Sequence, residues 1–312
     1  MQRDFDIIGV GDADIDLMVA VKNFPEAGQK SSGRLIGRFP GGMVANFLSA
    51  AARFGARCGG VLCVGDDAFG HETLEDLKKR GIDVASSVIR PGESTYFTTT
   101  CLDPYGEKRM ILCFANAVFP TPEEVDDAYL CRAKFIQMTG GHTKLSIPVA
   151  KRAKALGVRV SFDLERIQTP MPEETKKTLL SLADVVFPNE EGLYSYTGAA
   201  SVAAGAKQML AAGPCVVVVT KGDKGAEVFT DHEHITAPAF AVPVADTTGA
   251  GDTFNGCFLS ALCKCYSLHD CLYLASAAAA KQITAVGSRT KLITETEARA
   301  FLQEQNIPLD VL

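Results

Sequence analysis

The run Asp246-Thr247-Thr248-Gly249-Ala250-Gly251-Asp252-Thr253-Phe254-Asn255-Gly256 decides how this chain is read. Gly249, Ala250 and Gly251 leave the backbone bare. Behind them Phe254, Cys257, Phe258, Ala261, Leu262 and Cys265 fall at helical spacing, which predicts a helix starting near Asp252. The first N–H groups of a helix have no internal partner and lie at the positive end of its dipole, so an unhindered start can close around an anion. An acidic residue at the mouth of such a site repels the anion. It makes sense there if its carboxylate takes a proton from a hydroxyl that attacks a bound phosphate. A Gly-x-Gly-Asp turn alone reads equally well as a helix cap; the longer run points to chemistry.

Composition narrows the classes around that run. The chain has 312 residues, 47% hydrophobic and 22% charged, enough for one large α/β domain or two smaller ones. A net charge of −6 argues against nucleic acid as a partner, because a phosphate backbone needs a basic face. Apolar runs fall short of the roughly 18 residues of a membrane span, and the start, Met1 to Asp6, leads straight into a strand pattern without a signal-peptide core. A cytoplasmic protein is therefore expected. Ten cysteines occur without a Cys-x-x-Cys pair. Cys257, Cys263, Cys265 and Cys271 point in scattered directions at about 100° per residue, which predicts reduced core residues rather than a metal site.

The extended run is similar to the C-terminal signature of the ribokinase-like (PfkB) carbohydrate kinase family, and further matches extend the likeness over nearly the whole chain. The resemblance implies an α/β three-layer sandwich, with a mostly parallel central sheet and a small β lid inserted at about residues 15–40 and 90–116 of a single domain. It implies an ATP-dependent sugar kinase with magnesium, acting on a small sugar and pairing as a homodimer through the lid. Asp252 would be the base, and the N–H groups of Gly249, Ala250, Gly251 and Asp252 the cradle.

Toward the amino terminus, Phe5 to Val10 reads as a buried strand, followed by Asp12, Asp14 and Asp16. A dinucleotide fingerprint at Gly9-Val10-Gly11 fails at its third glycine, where Asp14 stands, which disfavours a dehydrogenase. A carboxylate accepts two hydroxyl hydrogen bonds, the chemistry a sugar needs, and family resemblance assigns this role to Asp16, with Asp14 the weaker candidate. Pro40-Gly41-Gly42-Met43-Val44-Ala45-Asn46 resembles the family's Gly-Gly-x-x-x-Asn signature, adding Gly41, Gly42 and Asn46 to the sugar site. A tight helix entry is the plainer reading of the same glycines. Thr95 to Thr100 and Arg109 to Phe114 are β-prone runs around a turn at 103–106, a hairpin that the family uses as a lid.

From Lys134 onward strands and helices alternate, which gives a parallel sheet whose ligands gather at the strands' carboxyl ends. Asp163, Asn189, Thr220 and Asp246 are expected at or just beyond such ends. Asp163-Leu164-Glu165-Arg166 matches only in part the Asp-x-Asn-x-Arg pattern that some members use on acidic or phosphorylated sugars. Asn189-Glu190-Glu191 resembles the Asn-x-x-Glu motif that arranges magnesium, but the fourth position is Gly192. Either Glu190 or Glu191 takes that duty, or ATP and water hold the ion. Thr220 and Gly222 resemble the nucleotide loop. The resemblance also implies a monovalent cation such as K+ near Asp246 and Thr248. An alanine-rich helix from Leu268 to Thr284 would leave a slot for adenine, or serve close helix packing. A nucleoside kinase of the same fold and a non-catalytic sugar or nucleotide sensor remain alternatives.

Overall fold

Short apolar runs bounded by glycine become strands, and the 3.6-residue patterns between them become helices. The computed structural model describes residues 3–105 and 107–310. Gly106, the last residue of the expected 103–106 turn, lies outside the described residues. In chain order the elements are β1 (Phe5–Asp12), β2 (Asp14–Val21), β3 (Gly33–Gly41), α1 (Met43–Arg53), β4 (Cys58–Gly65), α2 (Ala68–Lys79), β5 (Val88–Arg90), β6 (Phe97–Leu102), β7 (Lys108–Cys113), α3 (Asp127–Leu130), β8 (Ala133–Thr139), α4 (Thr143–Ala155), β9 (Arg159–Leu164), α5 (Glu173–Leu182), β10 (Val185–Pro188), α6 (Glu190–Thr197), α7 (Val202–Ala212), β11 (Val216–Thr220), β12 (Ala226–Phe229), β13 (His234–Ala237), α8 (Ala250–Cys263), α9 (Leu268–Gln282) and α10 (Glu295–Glu304).

Among the described residues nine strands form one sheet in the order β13-β12-β11-β10-β9-β8-β1-β4-β5, and β3-β2-β6-β7 form a second. The large sheet is parallel from β11 to β5, while β12 and β13 run antiparallel at one edge. Its strands send alternate side chains to opposite faces. Val218, Val185 and Phe187 enter a core with α1, α2, α8, α9 and α10. Val217, Val219 and Val186 enter a second core with α3, α4, α5, α6 and α7. That two-sided burial is why these strands read as unbroken apolar runs.

Two features position the cleft. The first is that β1 and β2 are separated by Ala13 alone, so one extended segment leaves the large sheet and enters the small one. The second is that α1 begins where the small sheet ends, at Gly41 and Gly42. Gly42 has φ 90°, and a Cβ there would lie 2.7 Å from the Ala13 Cα, so only glycine fits. Asp12 starts α1 by accepting from the N–H groups of Met43 at 2.9 Å and Val44 at 3.1 Å.

Two sequence expectations change. The cysteines are free, but Cys265 is exposed rather than core. Cys265 also has φ 64° and lies between α8 and α9, so the cysteine pattern is not one continuous helix. Ala275, Ala277 and Ala278 are buried against α8, as the helix-packing reading of the alanine run expects. Among the described residues no helix is long and apolar enough to cross a membrane.

Candidate active site

The quoted run opens α8. Gly249 is left-handed at φ 76°, and a Cβ on it would lie 2.6 Å from the Ser288 Cβ. The helix starts at Ala250, so Asp252 stands in its first turn instead of at its start, and no side chain caps the helix. The Ala250 N–H is spent on the Thr247 carbonyl at 3.2 Å. The first-turn N–H groups of Gly251 and Asp252 have no acceptor within the helix by geometry. Gly251 is exposed, and a Cβ on it would meet nothing within 4 Å, so packing does not ask for glycine there.

Asp252 is joined to the amino-terminal half of the chain. The Asn46 Nδ2 donates to its Oδ2 at 2.9 Å. The orientation of the Asn46 amide is fixed by two donors on its other atom, since Oδ1 accepts from Ser288 Oγ at 3.0 Å and from Arg289 Nε at 2.8 Å. Arg289 is itself buried; it also donates to the Gly41 carbonyl and pairs with Asp76 Oδ2 at 3.1 Å. Burial pushes the Asp252 carboxyl up to about 8, with repulsion from Glu165 and Asp12 adding to it, while the Asn46 hydrogen bond and Arg289 oppose the rise.

Asp14 and Asp16 lie beside Gly41. A Cβ on Gly41 would come within 2.6 Å of Asp16 Oδ2, so the bare backbone is what lets the acids approach. Asp16 accepts from the Thr98 hydroxyl of β6. Asp14 is 3% exposed, and its Oδ1 has no partner within the chain. Burial raises the Asp14 carboxyl well above its ordinary range, with Asp16 and Asp12 as repelling neighbours. Burial raises Asp16 too. The Tyr96 ring feels the same three acids and stacks on Phe114 at 5.1 Å and 8°, forming an aromatic wall beside them.

Asp246 and Thr248 precede the cradle, in the loop after β13 rather than at a strand end. Asp246 Oδ1 accepts from Thr248 N–H at 3.1 Å and Thr248 Oγ1 at 2.8 Å, and Oδ2 accepts from Gly287 N–H at 3.0 Å. The remaining partner comes from the small sheet, where the Lys108 Nζ on β7 meets Oδ1 at 2.6 Å.

A second group sits at the ends of β10 and β11. Asn189 caps α6, accepting from Gly192 N–H at 2.6 Å, and its backbone bridges to Thr220. Gly222 has φ 58° and opens the turn after β11. Glu190 and Glu191 lie in the first turn of α6, held loosely by Lys224 and by Arg166, each at 3.6 Å. Gly192 presses against the Leu164 carbonyl with no room for a Cβ, which is why the expected glutamate is missing. Among the described residues Glu190 and Glu191 share no hydrogen-bond or ion-pair partner with Asp246 and Thr248. Asp163 is the penultimate residue of β9 and accepts from Asn255 Nδ2 at 2.7 Å.

Sequence reasoning missed Arg289, Ser288 and Lys108. A single cation beyond a helix break or on an exposed strand carries no periodic or motif signal; only the tertiary contact reveals its use.

The pfkB carbohydrate kinase family profile matches residues 5–295. Over 299 residues the chain is 26% identical to a nucleoside kinase of Methanothermobacter thermautotrophicus, covering 96% of each. Over 325 residues it is 29% identical to a 5-dehydro-2-deoxygluconokinase of Shouchella clausii, covering 98% of each. A structure of Arabidopsis thaliana ribokinase complexed with ribose and ATP superposes with a TM-score of 0.85 at 25% identity, covering 97% of this chain and 99% of that one.

Proposed function

The chain belongs to the pfkB family of carbohydrate kinases, and we propose from that premise that it moves the γ-phosphoryl group of ATP to a hydroxyl of a small sugar, with Asp252 as the general base. The observation that carries this reading is the Asn46–Asp252 hydrogen bond of 2.9 Å, which joins the bare start of α8 to the acids of the first hundred residues. The acceptor hydroxyls bind Asp14 and Asp16. The attacking hydroxyl gives its proton to the Asp252 carboxylate, which Asn46 holds in place. The N–H groups of Gly251 and Asp252 meet the charge that builds on the transferring phosphoryl oxygens. Closure of the small sheet excludes water and so protects ATP from hydrolysis.

On the nucleotide side, Asn189, Thr220 and Gly222 face ATP. Glu190 and Glu191 suit magnesium, being carboxylates at a helix start held by 3.6 Å ion pairs and, for Glu190, by the Tyr194 hydroxyl donating at 3.2 Å. Magnesium there supplies charge neutralisation to the phosphates. A monovalent cation fits poorly at Asp246 and Thr248, because the Lys108 ammonium already meets that carboxylate. No step is assigned to it.

Replacing a well-placed base costs about 10²–10⁴ in rate. Asp252→Asn is expected to fold, to bind ATP, and to lose at least that much turnover in a coupled ADP-release assay. Normal turnover would end the proposal. A nucleoside acceptor is the second reading, favoured by the Tyr96–Phe114 wall.

A further inference from the structure

A base that has kept its own proton cannot take another. Which form Asp252 prefers depends on which end of the neighbouring Asn46 amide faces it. The Nδ2 end donates and favours the carboxylate. The Oδ1 end accepts and would favour the acid, holding the proton on the group that must be free of it. The two ends are alike in size, so packing does not choose between them; hydrogen bonds do.

Here Nδ2 faces Asp252 Oδ2 at 2.9 Å, and two groups hold Oδ1 away. The Ser288 hydroxyl lies 3.0 Å from Oδ1 and 3.1 Å from the Pro40 carbonyl, and its single hydrogen serves one of them at a time. Arg289 Nε also carries a single hydrogen and gives it to Oδ1 at 2.8 Å. The guanidinium is not free to turn. Its Nη1 donates to Asp76 Oδ2 on α2 at 3.1 Å, and its Nη2 to the Gly41 carbonyl at the end of β3. Three directions of one planar fork are thus fixed by three elements, and at 4% exposure solvent does not compete for them.

We propose that Arg289 is a positioning residue of the phosphoryl transfer: it pins the Asn46 amide with its N–H side toward Asp252 and so keeps the base ready to accept a proton. The proposal rests on the kinase reading with Asp252 as base and adds a residue to it. Exchanging the N–H for a carbonyl at a carboxylate moves its ionisation up by about one unit or more.

Arg289 also acts on Asp252 through its charge, which opposes the rise of that carboxyl. Glu165 and Asp12 repel the same carboxylate, and Asp14 and Asp163 feel it in turn. A double substitution separates charge from amide. The rising limb of kcat/KM against pH is followed by ADP release in the unchanged protein, Arg289→Met, Asn46→Ala and the double variant. Arg289→Met is expected to move the limb up by about one unit, to lose about tenfold near pH 7 and to regain it at higher pH. Asn46→Ala should also move the limb up, and the double variant no further than Asn46→Ala alone. A double variant that moves by the sum of the two single moves overturns the amide role. Turnover lost equally at every pH, with an unmoved limb, marks Arg289 as merely structural and overturns it too. Arg289→Lys keeps the charge and a partner for Asp76 but not the Nε–H, and it stands in if Arg289→Met does not fold. An upward move is expected there as well, and an unmoved limb counts against the proposal. If no acceptor releases ADP, the kinase reading fails by itself. Carbon NMR of the Asp252 carboxyl, assigned by its loss in Asp252→Asn, then still decides the amide role: an equal midpoint in the unchanged protein and the Arg289 variant overturns it.

Discussion

Asp252 and Gly251 are adjacent, and each isolates one task. The Asp252 carboxyl must be ionised to accept a proton, and burial holds it up near about 8. The pH profile of kcat/KM, which reports the free enzyme, is therefore expected to rise to a plateau above about 8. A profile flat from pH 6 to 9 would remove Asp252 from the step. The same shift has a cost in stability. Between its ordinary value of 3.8 and about 8, the native state holds this proton and the unfolded chain does not, so stability falls as pH rises through that window. Asp252→Asn should flatten this fall. Gly251→Ala makes the opposite trade. A Cβ there strikes nothing in the chain, and alanine favours a helix over glycine by about 1 kcal/mol, so Tm should hold or rise. Turnover and ATP affinity should fall, because the methyl occupies the cradle. Full activity in this variant would mean that the phosphate lies elsewhere. Gly251, Asp252, Gly41 and Asn46 were legible in the sequence because their spacing is a motif. Arg289 was not, because its three partners are brought to it only by the fold.

Elements show the same division. Buried strands such as β11 announced themselves as apolar runs, and β6 and β7 as β-prone segments around a turn. Helix starts were less legible: α2 begins at Ala68, where Asp67 caps it by accepting from Gly70 N–H at 2.8 Å. The pairing between elements was not legible at all. Lys108 lies on β7 of the small sheet, and its Nζ reaches the loop ahead of α8. It supplies the positive charge that Asp246, 1% exposed at its side chain, requires. Losing such a charged hydrogen bond costs about 1–3 kcal/mol. Lys108→Ala is therefore expected to lower Tm and turnover and to recover part of both when K+ is added, while the unchanged protein is indifferent to K+ against Na+. A K+ requirement in the unchanged protein would overturn this assignment.

At the scale of the whole molecule, the parallel sheet followed from alternation of strand and helix, the three-layer sandwich with its lid followed from the family resemblance, and the likeness to ribokinase structures bears the fold out. The small sheet leaves an unfinished edge. β7 is its outer strand and exposes Met110, Ile111 and Leu112. Apolar edge strands pair with other chains unless they are covered. A second copy of this chain is the expected cover; light scattering should report a dimer, and Ile111→Lys a monomer. A monodisperse monomer at high concentration would dismiss the pairing. Another consequence follows from the single residue, Ala13, between β1 and β2. Asp12 is tied to α1, whereas Asp14 and Asp16 belong to the strand that continues into the small sheet. If the acceptor binds Asp14 and Asp16 as proposed, its occupancy is expected to fix that sheet as well, and acceptor and ATP affinities should then rise together by the same factor; calorimetry that finds one ATP affinity with and without acceptor would dismiss the link.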